Sequence, residues 1–233
     1  MESVLQNYPP IASNHLASAR VHANRAEMVL ALEQRLPRNP VICEVGVALG
    51  DFSEFLLNSL RPRDFIGMDL FGLHGLETLW GRPTSEIFGG RTHAEYYRDR
   101  FASHPVRVME GDSAAALASL PDASIDLIYI DGDHSYEGVK RDTAQALRKV
   151  KPEGLLIFND YIMYDHLQGG EYGVVPAVNE LVNETDWRIV GFALQHFAHI
   201  GKPLQDRLRL RDPVRHASQI GARARPAPVL RPR

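Results

Sequence analysis

One cysteine, Cys43, among 233 residues excludes an internal disulfide and a cysteine-built zinc centre. No apolar run approaches the roughly 18 residues that a membrane helix requires. Met1 to Arg20 also lacks the basic start and apolar stretch of a secretory leader, so the expectation is a cytoplasmic protein with no membrane partner. Neither G-x-G-x-x-G nor G-x-x-x-x-G-K-[ST] occurs, which disfavours a dinucleotide or a nucleoside triphosphate as ligand. There is no internal repeat. Net charge is small, −3, but unevenly placed: Lys202 to Arg233 holds nine Lys or Arg against two Asp, leaving the rest at −10. With Pro203, Pro213, Pro226, Pro228 and Pro232, this tail reads as a weakly structured basic extension. Arginine-rich ends are common, and nucleic-acid binding is not expected of it.

What the chain does have is alternation. Between residues 41 and 201 short apolar runs (Val41 to Val45, Asp64 to Met68, Val106 to Met109, Ile125 to Ile130, Leu155 to Phe158) alternate with amphipathic stretches. That pattern predicts parallel strands buried on both faces and covered by helices. Trp187 to Ala193 and His196 to Ile200, separated by two residues, predict a closing antiparallel hairpin. Helices are expected over Ala17 to Leu36, Asp51 to Leu60, Ala94 to Ala102 and Ser135 to Val150, the last with Ser135 as N-cap. Gly72 to Gly90, with five glycines and Pro83, is expected to be a long irregular segment. The domain division that follows is 1–201, with 1–38 as an N-terminal helical cap, and 202–233 as the extension.

Three polar turns then fall in order after successive strands. Glu44-Val45-Gly46-Val47-Ala48-Leu49-Gly50 lets backbone pass close to a ligand at the carboxyl edge of the sheet. Asp69, 23 residues beyond Gly46, ends the second strand where an acid can accept from ribose hydroxyls. Glu110-Gly111-Asp112-Ser113 offers Asp112 and Ser113 either to an adenine edge or to the cap of the next helix.

Asp131 and Asp160 end the fourth and fifth strands, neighbours about 4.8 Å apart in such a sheet, so two carboxylates converge. A shared hard cation such as Mg²⁺ would resolve their repulsion, with Asn159, Asp133 or water as a further ligand. The alternative is that Asp131 bonds the cofactor or a helix terminus and no metal binds. His134 is placed to take a hydroxyl proton, or else to cap a helix. Tyr161, Tyr164, Asp165 and His166 are candidates for the substrate mouth. His74 and His93 are weaker ones.

These residues, and above all Ile130-Asp131-Gly132-Asp133-His134-Ser135-Tyr136 and Phe158-Asn159-Asp160-Tyr161, resemble the class I S-adenosylmethionine-dependent methyltransferases. The branch they are most similar to holds small-molecule and sugar O-methyltransferases (methyltransferase-24-like). The resemblance covers residues 40 to 200 and implies a Rossmann-like α/β fold whose seven-stranded, mostly parallel sheet ends in an antiparallel hairpin. It implies S-adenosylmethionine as cofactor, with Glu44 and Gly46 at the methionine end, Gly50 in the same loop, Asp69 on the ribose, and Asp112 and Ser113 on the adenine. It further implies catalysis by Asp131 and His134, a metal at Asp131, Asp160 and Asn159, a small hydroxylated acceptor and a homodimer. Similar metal-dependent enzymes carry an Asp-Asn pair after the fifth strand, and Tyr161 stands here in place of that Asn. A cofactor-binding module without chemistry is the reading from another class.

Overall fold

A computed structural model describes residues 10–165, 169–196 and 224–231. In chain order the elements are β1 (Arg20–His22), α1 (Arg25–Leu32), β2 (Val41–Val45), α2 (Asp51–Leu60), β3 (Asp64–Asp69), β4 (Thr78–Leu79), β5 (Arg82–Pro83), α3 (Thr84–Phe88), α4 (His93–Arg100) and β6 (Val106–Glu110). There follow α5 (Ser113–Ala118), β7 (Ile125–Ile130), α6 (Tyr136–Lys149), β8 (Val150–Phe158), β9 (Tyr164–Asp165), β10 (Gly170–Glu171), α7 (Val174–Glu184), β11 (Arg188–His196) and β12 (Ala224–Arg231).

The main sheet runs β1-β11-β12-β8-β7-β2-β3-β6. Its β8-β7-β2-β3-β6 half is parallel throughout, and every residue of β2 and β7 is buried. Because side chains alternate across a strand, two cores result. Ile42, Phe65, Leu127, Tyr129 and Ile157 face Met28 of α1, Phe52 and Leu56 of α2 and Tyr97 of α4. Cys43, Ile66, Ile128, Ile130 and Phe158 face Leu117 of α5, Val139 and Ala146 of α6 and Val178 of α7. Full burial of each such aliphatic stabilises by about 1.5–3 kcal/mol. Five parallel strands covered on both faces, with β7 beside β8, is the architecture the apolar runs predict. It carries the carboxyl ends of β2, β3, β6, β7 and β8 to one rim.

Four expectations need correction. The sheet has eight strands where seven are expected, the addition being β1, laid parallel on β11. That strand also breaks up the helix expected over Ala17 to Leu36. Asn24 accepts from the Glu27 amide while its own amide reaches the Glu27 carboxylate, so α1 starts at Arg25. A closing antiparallel pair is present, while the expected second arm, His196 to Ile200, falls almost wholly outside the described residues. β11 runs unbroken through His196, residues 197–200 lie outside the described ones, and the antiparallel partner is β12. Residues assigned to a basic extension thus enter the sheet between β11 and β8, where Leu230 is fully buried. Finally, the Gly72 to Gly90 segment is ordered as a small hairpin, β4 with β5, and α3, anchored by buried Leu79, Thr84 and Phe88.

Candidate active site

The loop after β2 is shaped by contacts that only glycine permits. Gly46 has φ +82° and donates to the Met68 carbonyl at 2.8 Å, and a Cβ there would lie 2.0 Å from the Asp131 carbonyl oxygen. Gly50, at φ +87°, precedes α2, and a Cβ on it would meet the Phe101 ring at 2.6 Å. Asp69 holds the loop down from β3: one oxygen accepts from the amides of Val47 (3.0 Å) and Ala48 (3.1 Å), the other from Phe71 (2.9 Å). A carboxylate has about four acceptor positions, so roughly one remains for a ligand hydroxyl. His93, fully buried, donates to the Ala48 carbonyl, and Arg100 donates to that of Leu49 at 2.6 Å. The weaker candidate His93 is therefore part of the loop's support.

Glu44 sits beneath this loop. Only 1% exposed, it accepts from Ser53 Oγ, which in turn accepts from Tyr97 Oη at 2.8 Å. Burial, aided by Asp131 and Asp69, pushes its carboxyl up to about 8, so at neutral pH it is mostly protonated. Asp112 forms the cap that was one of its two readings: it accepts from the Ala115 amide at 2.9 Å and starts α5. Ser113 Oγ donates to Asp142 at 2.6 Å. Asp142, a buried acid of α6 that the sequence reading passed over, is pushed above the usual carboxylate range chiefly by burial.

The second half of the rim gathers acids and an imidazole. His134 Nε2 lies 3.3 Å from Asp131 Oδ1 and 3.5 Å from Asp160 Oδ2, and one donor atom from each of the three falls within 4.8 Å of the others. Asp160 is 4% exposed with φ +50°, a left-handed conformation that Asp tolerates better than most residues. Tyr172 stacks flat on the His134 ring, centroids 4.5 Å apart and planes 13° apart, while the Gly173 amide donates to the His134 carbonyl at 2.7 Å. The imidazole is thus fixed on both its backbone and its face.

Asn159 has another use than the ligand role expected of it. Its amide nitrogen donates to Asp131 Oδ1 at 2.9 Å, and its oxygen accepts from Tyr129 Oη at 2.9 Å. Tyr129 accepts in turn from Arg25 Nη1 at 2.9 Å. The donor atom that joins the two carboxylates belongs to His134, while Asn159 aims Asp131. Asp133, the other substitute considered, is exposed and accepts from the Ser135 amide at the start of α6. Tyr161 donates to Asn179, and burial pushes its phenol up to about 12. Tyr164 is exposed, as is His74. His166 and the Asp165 side chain lie outside the described residues.

Arg25, Tyr129 and Tyr172 escaped the sequence reading. Arg25 looked like a helix residue and Tyr129 like one more apolar strand position. The clue within reach was Asn24-x-x-Glu27, a cap signature that puts Arg25 in the first turn of a helix.

Among the described residues no helix is long and apolar enough to cross a membrane. The chain is 27% identical to the uncharacterised protein y4gI of Sinorhizobium fredii, over 50% of this chain and 15% of that one. It is 28% identical to the uncharacterised protein R132 of Acanthamoeba polyphaga mimivirus, over 60% of this chain and 58% of that one. It therefore spans less than two thirds of either relative. Among solved structures it is similar in fold to a Galdieria sulphuraria protein assigned as a sarcosine dimethylglycine methyltransferase (TM-score 0.55, 13% identity, 88% of this chain and 83% of that one). It is likewise similar to a Clostridium thermocellum protein assigned as an rRNA-methylase (TM-score 0.53, 11% identity, 90% and 98%). Residues 43–161, which carry the glycine loop, Asp69, Asp112, Asp131, His134 and Asp160, match the family model described as "Methyltransferase domain". The chain belongs to that methyltransferase family and has its Rossmann-like α/β fold.

Proposed function

We propose that this protein transfers a methyl group from S-adenosylmethionine to a hydroxyl of a sugar or other small polar metabolite. The observation that carries the reading is the Asp131–His134–Asp160 cluster, placed beside the Gly46 loop at the same rim. The residues present fit the cofactor. Gly46 and Gly50 let the loop turn tightly at the carboxyl edge of the sheet, Asp69 retains acceptor capacity for a ribose hydroxyl, and the turn at Gly111 to Ser113 follows the adjacent strand. When bound, the cofactor supplies an electrophilic methyl on a sulfonium.

The chain's own part is to prepare the acceptor. His134 takes the hydroxyl proton, and the imidazolium formed faces two carboxylates that stabilise its charge. With the cofactor in place the acceptor oxygen would be the nucleophile for that methyl, giving a methyl ether and a neutral thioether. Tyr172 keeps the imidazole in line. Leu70, which follows Asp69, and Met163 and Tyr164, which follow Asp160, leave apolar surface exposed for the acceptor's carbon face.

A metal-assisted variant is favoured by one feature, the convergence of two carboxylates and an imidazole whose ligand atoms lie within 4.8 Å of one another. Asp131, Asp160 and His134 would hold a divalent cation, Mg²⁺ or a more imidazole-tolerant ion, which would supply Lewis acidity to the hydroxyl. A methyl-transfer assay over a panel of hydroxylated acceptors, in EDTA and then with added cations, separates the two. Full turnover in EDTA identifies His134 as the base; loss with recovery identifies the ion. His134→Ala should abolish turnover while S-adenosylmethionine still binds by calorimetry, and unchanged turnover would end the reading.

A further inference from the structure

Arg25 is a rim cation whose hydrogen-bonding capacity is largely unused among the described residues. Its guanidinium carbon stands 4.2 Å over the Phe52 ring, and Nη1 donates to Tyr129. The same nitrogen is 3.9 Å from Asp131 Oδ2, beyond hydrogen-bond range. A structural counter-ion closes on its acid, as Arg107 does on Asp64 with bonds of 3.0 and 2.6 Å. Arg25 stands off instead, its plane fixed by the aromatic ring and its side chain 25% exposed. Burial alone would weaken its proton affinity, but the hydrogen bond to Tyr129 and the nearby Asp131 carboxylate outweigh that and hold it charged. A guanidinium offers five N–H groups in a rigid fork, and one of them has a partner among the described residues.

We propose that Arg25 is the carboxylate receptor of the methyl-transfer site, its open fork taking the acid group of a ligand seated between the ends of β2 and β7. The inference rests on the cofactor reading given above. The carboxylate has two possible sources, the amino-acid end of the cofactor or an acidic acceptor. Arg25 is pre-aimed, so little side-chain entropy is lost when the pair forms.

The test is calorimetric titration of S-adenosylhomocysteine and of its decarboxylated analogue into the wild type, Arg25→Gln and Arg25→Lys, each first checked by circular dichroism and melting temperature. If the cofactor is the source, the wild type binds the carboxylated ligand about 10- to 100-fold more tightly than the analogue. In Arg25→Gln the gap shrinks below about 3-fold, and Arg25→Lys, with charge but no fork, lies between. If the acceptor is the source, the two ligands bind alike. In that case glucuronic acid is preferred over glucose by the ligand-saturated wild type, and Arg25→Gln loses the preference. Equal weakening of both ligands in Arg25→Gln, or no carboxylate preference in either pair, overturns the proposal. A wild type that binds neither ligand ends the cofactor reading itself, and this inference with it.

Discussion

Two stretches of the rim, on either side of β2, use the same residue type in opposite ways. At the end of β3, Asp69 is met by three backbone amides, so most of its acceptor capacity goes into holding the glycine loop and the start of the next segment. At the ends of β7 and β8, Asp131 and Asp160 are held chiefly by side chains, Asn159 and His134, and face each other across an imidazole. Backbone partners make an acid part of the fold. Side-chain partners leave one that can exchange them for a ligand.

That contrast can be broken most severely at Gly46, where both stretches meet. Gly46→Ala places a Cβ 2.0 Å from the Asp131 carbonyl at positive φ, and the expected result is a loss of more than about 3 kcal/mol in urea unfolding, or no folded protein. A soluble variant with the parental midpoint would refute the close approach. Next come paired amide substitutions. Asp160→Asn should reduce kcat by roughly 100-fold or more with little change in melting temperature. Asp69→Asn, which loses charge-assisted bonds to loop amides, should destabilise by about 1.5–3 kcal/mol and weaken cofactor binding. If the two variants show the same balance of stability and activity, the distinction between the stretches fails.

Asn159→Ala releases Asp131 and takes away the acceptor of the Tyr129 O–H, so about 1–3 kcal/mol of stability and roughly 10-fold of kcat should go together. A kcat left intact would show that Asp131 needs no aiming. The last test concerns Glu44, whose effect appears as a slope with pH. Its carboxyl is raised from the ordinary 4.5 to about 8 in the folded state, so above 4.5 the folded protein binds more protons than the unfolded chain. Its contribution is therefore fullest below pH 4.5 and is lost as pH rises toward about 8, by on the order of a few kcal/mol at most. Glu44→Gln should flatten that slope, gaining relative to the parent between pH 4.5 and about 8 in chemical denaturation. Parallel pH curves for both proteins would place the ionised acid elsewhere.

How much of this was legible beforehand depended on whether the signal was local. The ranges of β2, β7 and α2 are where the apolar runs and amphipathic spacing place them, because strands buried on both faces must be continuously apolar. β12 was unreadable for a definite reason. Pro226 and Pro228 argue against an inner strand, yet they pair only with Leu194 and Phe192 of β11, while the register with β8 is confined to Val229 and Leu230. The prolines thus sit where the strand has one neighbour. β1 likewise needs the exposed edge of β11 before its three residues can be a strand at all.

The order of the acids and glycines along the chain, and the parallel half of the sheet that delivers them to one rim, were determined by the sequence alone, since each follows from composition within a few residues. Which of those acids are fastened and which are presented was decided by tertiary structure. The reason is distance along the chain: Arg25 reaches Tyr129 across 104 residues and Asn159 reaches Asp131 across 28, and no local pattern encodes contacts that exist only after the sheet has closed.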